Sequence, residues 1–175
     1  MWTKNIKIDS KLKLWLLDMK SLSYRIRSIA KLEIIPVKTS VKNIFLNEKK
    51  ELGNIKSEHL YLREVLIYAD KLPIMYARTI LPSKYLRGFW HKIRSLNNKP
   101  LADIVFERMI IRSRFKFKKP SINDNFSKRI KMFDLKNIKI LATRQSTFKN
   151  KNEKVLLTEV FFNNLKQFDY LDGQI

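Results

Sequence analysis

Residues 154–162 read KVLLTEVFF, and this run constrains the fold more than any other part of the chain. It is rich in Val, Leu, Thr and Phe and predicts a strand, in which successive side chains point to opposite faces. Leu156, Thr158, Val160 and Phe162 share one face, while Val155, Leu157, Glu159 and Phe161 share the other. Both rows are apolar, so whichever face is buried meets a core, and Glu159 is expected to lie against one. A buried carboxylate is costly unless it is paired, hydrogen-bonded or protonated. Glu159 therefore requires a partner elsewhere in the chain, or a ligand.

The rest of the pattern supplies the sheet this strand needs. HLYLREVLIYAD (59–70) and IMYARTIL (74–81) predict two strands around a Lys71-Leu72-Pro73 turn region, and NIKILATRQSTF (137–148) pairs with VLLTEVFF (155–162) across the turn-like KNKNEK. RMIIRSRFKFK (108–118) alternates as a further strand, and LEIIPVK (32–38) is short and rich in Ile and Val. Leu12, Trp15, Leu16, Met19, Leu22 and Ile26 recur at helical spacing and predict one long amphipathic helix over 11–30, with Asp9 or Ser10 as N-cap. Helical spacing also marks 83–96, weakened by Gly88, and Pro100 opens a short helix in 99–106. The polar stretch 119–134 is read as an excursion. Antiparallel strands with helices between them predict an α+β domain spanning 1–175: a mostly antiparallel sheet with helices packed on one side.

Composition narrows the chemistry. A chain of 175 residues with 45% hydrophobic residues can bury a core, and with no cysteine it excludes disulfides and thiolate chemistry. Charges interrupt every apolar run in the first twenty residues, so neither a signal peptide nor a membrane span is expected there, and a cytoplasmic location is. Three glycines cannot build a phosphate cradle, and His59 and His91 are isolated, so no cofactor and no metal are expected. The formal charge of +21 invites a nucleic-acid partner, but lysine is spread from end to end, which fits a solvated surface better than a binding stripe. It would also attract small anions.

Arginine sharpens that last point. Arg63 falls on the strand face of Tyr61, Val65, Ile67 and Ala69, an otherwise apolar row, and Arg78 lies between Tyr76 and Ile80 on the partner strand. The guanidinium fork grips a carboxylate in two places, so two inward arginines and the inward Glu159 suit a small dicarboxylate bearing a hydroxyl. A plain buried ion pair between Arg63 and Glu159 satisfies the same pattern.

The order REVLIYADKLPIMYARTILP, KPLADIVF, ATRQS and LLTEVFF resembles the chorismate lyase (chorismate pyruvate-lyase) family of ubiquinone biosynthesis, with a weaker likeness in WLLDMKSLSYRI. The resemblance implies an antiparallel sheet with an enclosed ligand cavity under helical flaps, and the elimination of pyruvate from chorismate to give 4-hydroxybenzoate without metal or redox cofactor. By position it implies that Arg63 holds the ring carboxylate, that Leu101 contacts the ligand through its backbone, and that Glu159 meets the ring hydroxyl. A family methionine falls on Leu22, and a glycine on Ala77. Arg78 is assigned to the enolpyruvyl carboxylate, so that Glu159, Arg63 and Arg78 form the expected catalytic group and Leu101 and Leu22 complete the binding set. The expected partners are chorismate and 4-hydroxybenzoate, with no nucleic acid, no stable membrane insertion and a monomeric chain. The alternatives are a non-catalytic domain of the same fold that binds small aromatic acids, and, lower, a basic nucleic-acid-binding protein.

Overall fold

The two expected hairpins form the centre of the sheet in the computed structural model, which describes residues 1–105 and 110–170. Strands β1 (Leu32–Pro36), β2 (Leu60–Ala69), β3 (Leu72–Pro82), β4 (Ile111–Arg112), β5 (Lys116–Lys118), β6 (Ile140–Asn150) and β7 (Glu153–Phe162) build one seven-stranded sheet. Its order is β1-β2-β3-β7-β6-β4, with β5 also on β6, and every pairing is antiparallel. With the helices described below, the class is α+β.

The first hairpin turns at Asp70 and Lys71, both with positive φ (46° and 67°), earlier than the sequence suggests. Such a two-residue turn matches the twist of the flanking strands. Pro73 lies inside β3 and pairs with Tyr68 where the register slips between Ile67 and Tyr68. A bulge is one of the few places where a strand tolerates a residue without an N–H. The second hairpin closes at Lys151 (φ 49°) and Asn152.

The helix expected over 11–30 is two helices, α1 (Ser10–Leu17) and α2 (Leu22–Arg27). Asp18 breaks it: its carboxylate accepts from the Lys20 N–H at 2.8 Å, an Asx turn that competes with helix propagation. Ser21 then caps α2 by accepting from the Tyr24 N–H. Asp18 is further held by a buried ion pair with Arg25, so the kink is pinned. The helix expected over 83–96 is instead two 3-10 segments, Ser83–Arg87 and Phe89–Ser95, divided at Gly88. Around Pro100 the short helix is α4 (Ala102–Val105); Phe106 of that expectation, and residues 108–109 of the expected 108–118 strand, lie outside the described residues.

Helices cover both faces of the sheet, not one. On one face α1, α2 and α4 pack over the largest core cluster, which includes Leu12, Trp15, Ile26, Val65, Ile67 and Phe161. On the other, α3 (Leu46–Glu51) sits near Leu62, Ile80 and Leu156, and α5 (Asn125–Lys131) buries Phe126 and Ile130 against Leu66, Tyr76 and Val160. The excursion 119–134 is thus a layer that covers this second face. No helix among the described residues is long and apolar enough to cross a membrane.

Candidate functional site

Register decides which side chains meet. β2 pairs with β3 so that Arg63 lies opposite Thr79, Val65 opposite Ala77 and Ile67 opposite Met75. Paired residues of adjacent strands share a face. Ala77 then pairs with Glu159 on β7, and Glu159 with Arg144 on β6, so Arg63, Val65, Ala77, Glu159 and Arg144 all point to the α1/α2 side. A cavity lies there, between the sheet and the helix pair. Its sheet wall is completed by Leu157 and Phe148, and its cover is the 20–23 segment of the helix pair together with Pro100, Leu101, Ala102 and Val105.

Four of the five expected site residues, Arg63, Glu159, Leu22 and Leu101, line this cavity. Arg78 does not. It pairs with Glu64, not with Arg63, and therefore points to the opposite face. There it is buried between two carboxylates, with Nε 2.9 Å from Glu48 Oε1 and Nη1 3.4 Å from Glu64 Oε1, and it donates to the Asn43 carbonyl. The place given to Arg78 from sequence is corrected by this register. In the cavity two other arginines stand instead, Arg112 and Arg144, which sequence reasoning missed.

Glu159 is the acceptor of a two-pronged grip. Arg144 Nε donates to Glu159 Oε2 at 2.6 Å and Nη2 to Oε1 at 3.0 Å. The remaining Arg144 nitrogen, Nη1, donates to the carbonyls of Trp15 (3.2 Å), Leu16 (2.9 Å) and Asp18 (3.1 Å). These are carbonyls at the C-terminal end of α1, which lack intrahelical donors and carry the negative end of the helix dipole. One guanidinium thereby satisfies Glu159 and fixes the cover to the sheet. The pair that sequence alone allowed between Arg63 and Glu159 is not formed. Burial pushes the Glu159 carboxyl up, but the charge and hydrogen bonds of Arg144 and the charge of Arg112 outweigh it and hold the group below the usual carboxylate value. It is a carboxylate at neutral pH.

Arg63 is the reverse case. It is 8% exposed, and among the described residues only its Nη2 is engaged, by the carbonyls of Asn97 (2.9 Å) and Lys99 (2.7 Å). No carboxylate among the described residues pairs with it, and burial lowers its pKa. Those two bonds draw the 97–101 loop over the cavity, where Leu101 accepts from the N–H groups of Ile104 and Val105 but its own N–H has no partner among the described residues. Arg63 and Leu101 line the same cavity, and a guanidinium edge and an N–H are both donors of the kind a carboxylate accepts from. Arg112, at the end of β4, donates to Ser146 Oγ and to the Met19 carbonyl, both at 3.1 Å. Burial pushes it down to about 10, with the charge of Arg144 adding to this and that of Glu159 opposing it. Among the described residues, three arginines and one glutamate leave the cavity with buried positive charge in excess.

The chain is similar to known proteins along most of its length. A family model described as chorismate lyase matches residues 1–169. A protein of Nitrosospira multiformis named probable chorismate pyruvate-lyase is 27% identical over 155 residues, 86% of each chain. One of the same name from Hydrogenovibrio crunogenus is 28% identical over 151 residues, 86% of this chain and 80% of its own. Among solved structures, the effector domain of PhnF from Mycobacterium smegmatis matches at 14% identity and a TM-score of 0.49, covering 85% of this chain and 91% of that one.

Proposed function

This chain belongs to the chorismate lyase family, and from that premise and the cavity geometry we propose that it is a chorismate pyruvate-lyase, releasing pyruvate and 4-hydroxybenzoate toward ubiquinone. The observation that carries the reading is Arg63, which has no carboxylate partner among the described residues, beside a two-pronged Glu159–Arg144 pair in one cavity under the helix pair. The substrate is a dianion with a ring hydroxyl. A buried cation excess and a lone carboxylate acceptor complement those groups.

In the elimination, the ring carbon bearing the hydroxyl loses its proton, the ether bond to the side arm breaks, and the departing enolpyruvate takes up a proton at its terminal carbon. Aromatisation of the ring supplies the driving force. The atoms balance within the substrate, so the protein's part is to hold a reactive pose, exclude water and stabilise negative charge on the leaving oxygen. Arg63 and the Leu101 N–H take the ring carboxylate. Glu159 accepts from the ring hydroxyl, and Leu22 presses on the ring from the cover. The Ala77 methyl, directly opposite Glu159, forms the floor of the hydroxyl end.

The test is incubation of the purified protein with chorismate, following both products by chromatography. Equal amounts of 4-hydroxybenzoate and pyruvate are expected from the native chain. Turnover falls by about a hundredfold or more in Arg63→Ala and in Glu159→Gln, with the circular dichroism spectrum retained. Absence of turnover in the native chain would refute the lyase reading, and full activity in either variant would remove that residue's role.

A further inference from the structure

Counting donors separates the three arginines of the cavity. A guanidinium offers five N–H groups. Arg144 commits Nε, both N–H groups of Nη1 and one of Nη2 to Glu159 and to the end of α1, which leaves one N–H without a partner among the described residues. Arg63 keeps Nε and Nη1 free among the described residues. Arg112 spends Nε on Ser146, one N–H of Nη1 on the Met19 carbonyl, and one N–H of Nη2 on a contact of 3.5 Å with Glu159 Oε2. That last contact is at the limit of a hydrogen bond, and the same oxygen already receives Arg144 Nε at 2.6 Å. The second N–H of each terminal nitrogen has no partner among the described residues.

We propose that Arg112 binds the second carboxylate of the substrate, the one on the enolpyruvyl side arm, while Arg63 takes the ring carboxylate. The inference rests on the lyase reading above and assigns the group that sequence gave to Arg78. The plane of Arg112 is set before any ligand arrives: its guanidinium carbon lies 4.5 Å from the Phe115 ring and 4.9 Å from that of Phe148. Ser146 ties it to β6 and Met19 to the kink between α1 and α2. It therefore stands where the cover meets the sheet. A carboxylate arriving there completes the fork that the long Glu159 contact leaves unfilled, and Glu159 keeps its two bonds to Arg144. Burial lowers the pKa of this guanidinium more than the charges of Glu159 and Asp18 raise it.

Substrate and product differ by the group in question, which makes the assignment testable. Chorismate carries the side-arm carboxylate; 4-hydroxybenzoate does not. In Arg112→Ala, kcat/KM for chorismate falls by about a hundredfold, while the inhibition constant of 4-hydroxybenzoate changes by less than about threefold. Arg112→Lys restores part of the loss, since it keeps charge without the fork. In Arg63→Ala both ligands weaken together. Thermal melts of each variant establish that the fold is present. Equal loss for both ligands in the Arg112 variants, or no loss for chorismate, overturns the assignment. If the native chain shows no turnover, the lyase reading fails separately, and calorimetric binding of chorismate against 4-hydroxybenzoate decides the role of Arg112 by the same comparison.

Discussion

Glu159 and Arg144 show how one buried pair serves both fold and site. Replacing Arg144 by Met removes the two-pronged grip and leaves a buried carboxylate facing only the distant Arg112 contact of 3.5 Å. Loss of one partner of a buried pair costs about 3–5 kcal/mol. In the native chain the depressed Glu159 adds stability that is complete above the ordinary carboxylate value of 4.5 and is lost as pH falls through its lowered value. In Arg144→Met the burial that now dominates raises the group, so the sign reverses and protonation stabilises. Denaturant midpoints measured from about pH 8 down to about pH 5 should show the gap between variant and native chain narrowing as pH falls; a gap that stays constant would disprove the coupling. At this scale Arg63, Glu159, Leu22 and Leu101 were legible because each stands in a quoted motif or an apolar row. Arg78 was misplaced because the face it shares depends on turn length and on the slip at Ile67/Tyr68, which the residue pattern does not spell out. Arg112 was missed for a related reason. It pairs with Phe148 whereas Lys116 pairs with Gln145, a one-residue slip that turns Arg112 inward and Lys116 outward, although a continuous strand would align them.

The two long hairpins were readable because alternation and β-branched residues persist over whole strands, whereas the helices were readable only in outline. Asp18 and Ser21 cap locally and divide the expected 11–30 helix, an outcome helical spacing alone cannot reveal. The outer layer was not legible at all, because α3 and α5 are short and polar in sequence and are held by buried charge. Arg129 on α5 meets Glu64 at 2.9 Å, Tyr76 donates to the same carboxylate, and Arg78 joins Glu64 to Glu48 on α3. Glu48 is fully buried; burial first, and the charge of Glu64 after it, outweigh Arg78 and the Phe45 N–H and push it up to about 7. A carboxyl raised on folding costs stability as it ionises. Between the ordinary value of 4.5 and about 7 the unfolded chain has released this proton and the folded chain retains it, so stability falls as pH rises. Glu48→Gln keeps an amide in the same place and removes the ionisation. The native chain should lose stability relative to Glu48→Gln between about pH 5 and about pH 7.5 in urea melts. Parallel profiles would show that Glu48 does not titrate in this range. Because α3 lies on the sheet face away from the cavity, KM for chorismate should be unchanged in the same variant.

Over the whole molecule, 37 basic against 16 acidic residues place a field of one sign around a cavity whose described lining carries more arginine than carboxylate. The surface and interior parts of this field respond differently to salt. Exposed lysines repel one another in the folded chain and draw anions from solution, and both effects are screened once the Debye length shrinks to about 10 Å near 0.1 M ionic strength. Buried Arg63 and Arg112 sit in a medium that mobile ions do not enter, so their contacts with a bound ligand are screened far less. Raising sodium chloride from about 20 mM to about 300 mM should therefore raise the melting temperature while lowering kcat/KM for chorismate several-fold, with kcat itself held within about twofold. Kinetics at several ionic strengths, with viscosity matched, read the three quantities together. A kcat that falls as steeply as kcat/KM would place the salt-sensitive charge inside the cavity and contradict its burial. A kcat/KM indifferent to salt, with the melting temperature still rising, would confine the lysine surface to self-repulsion and leave capture of the dianion to the cavity arginines alone.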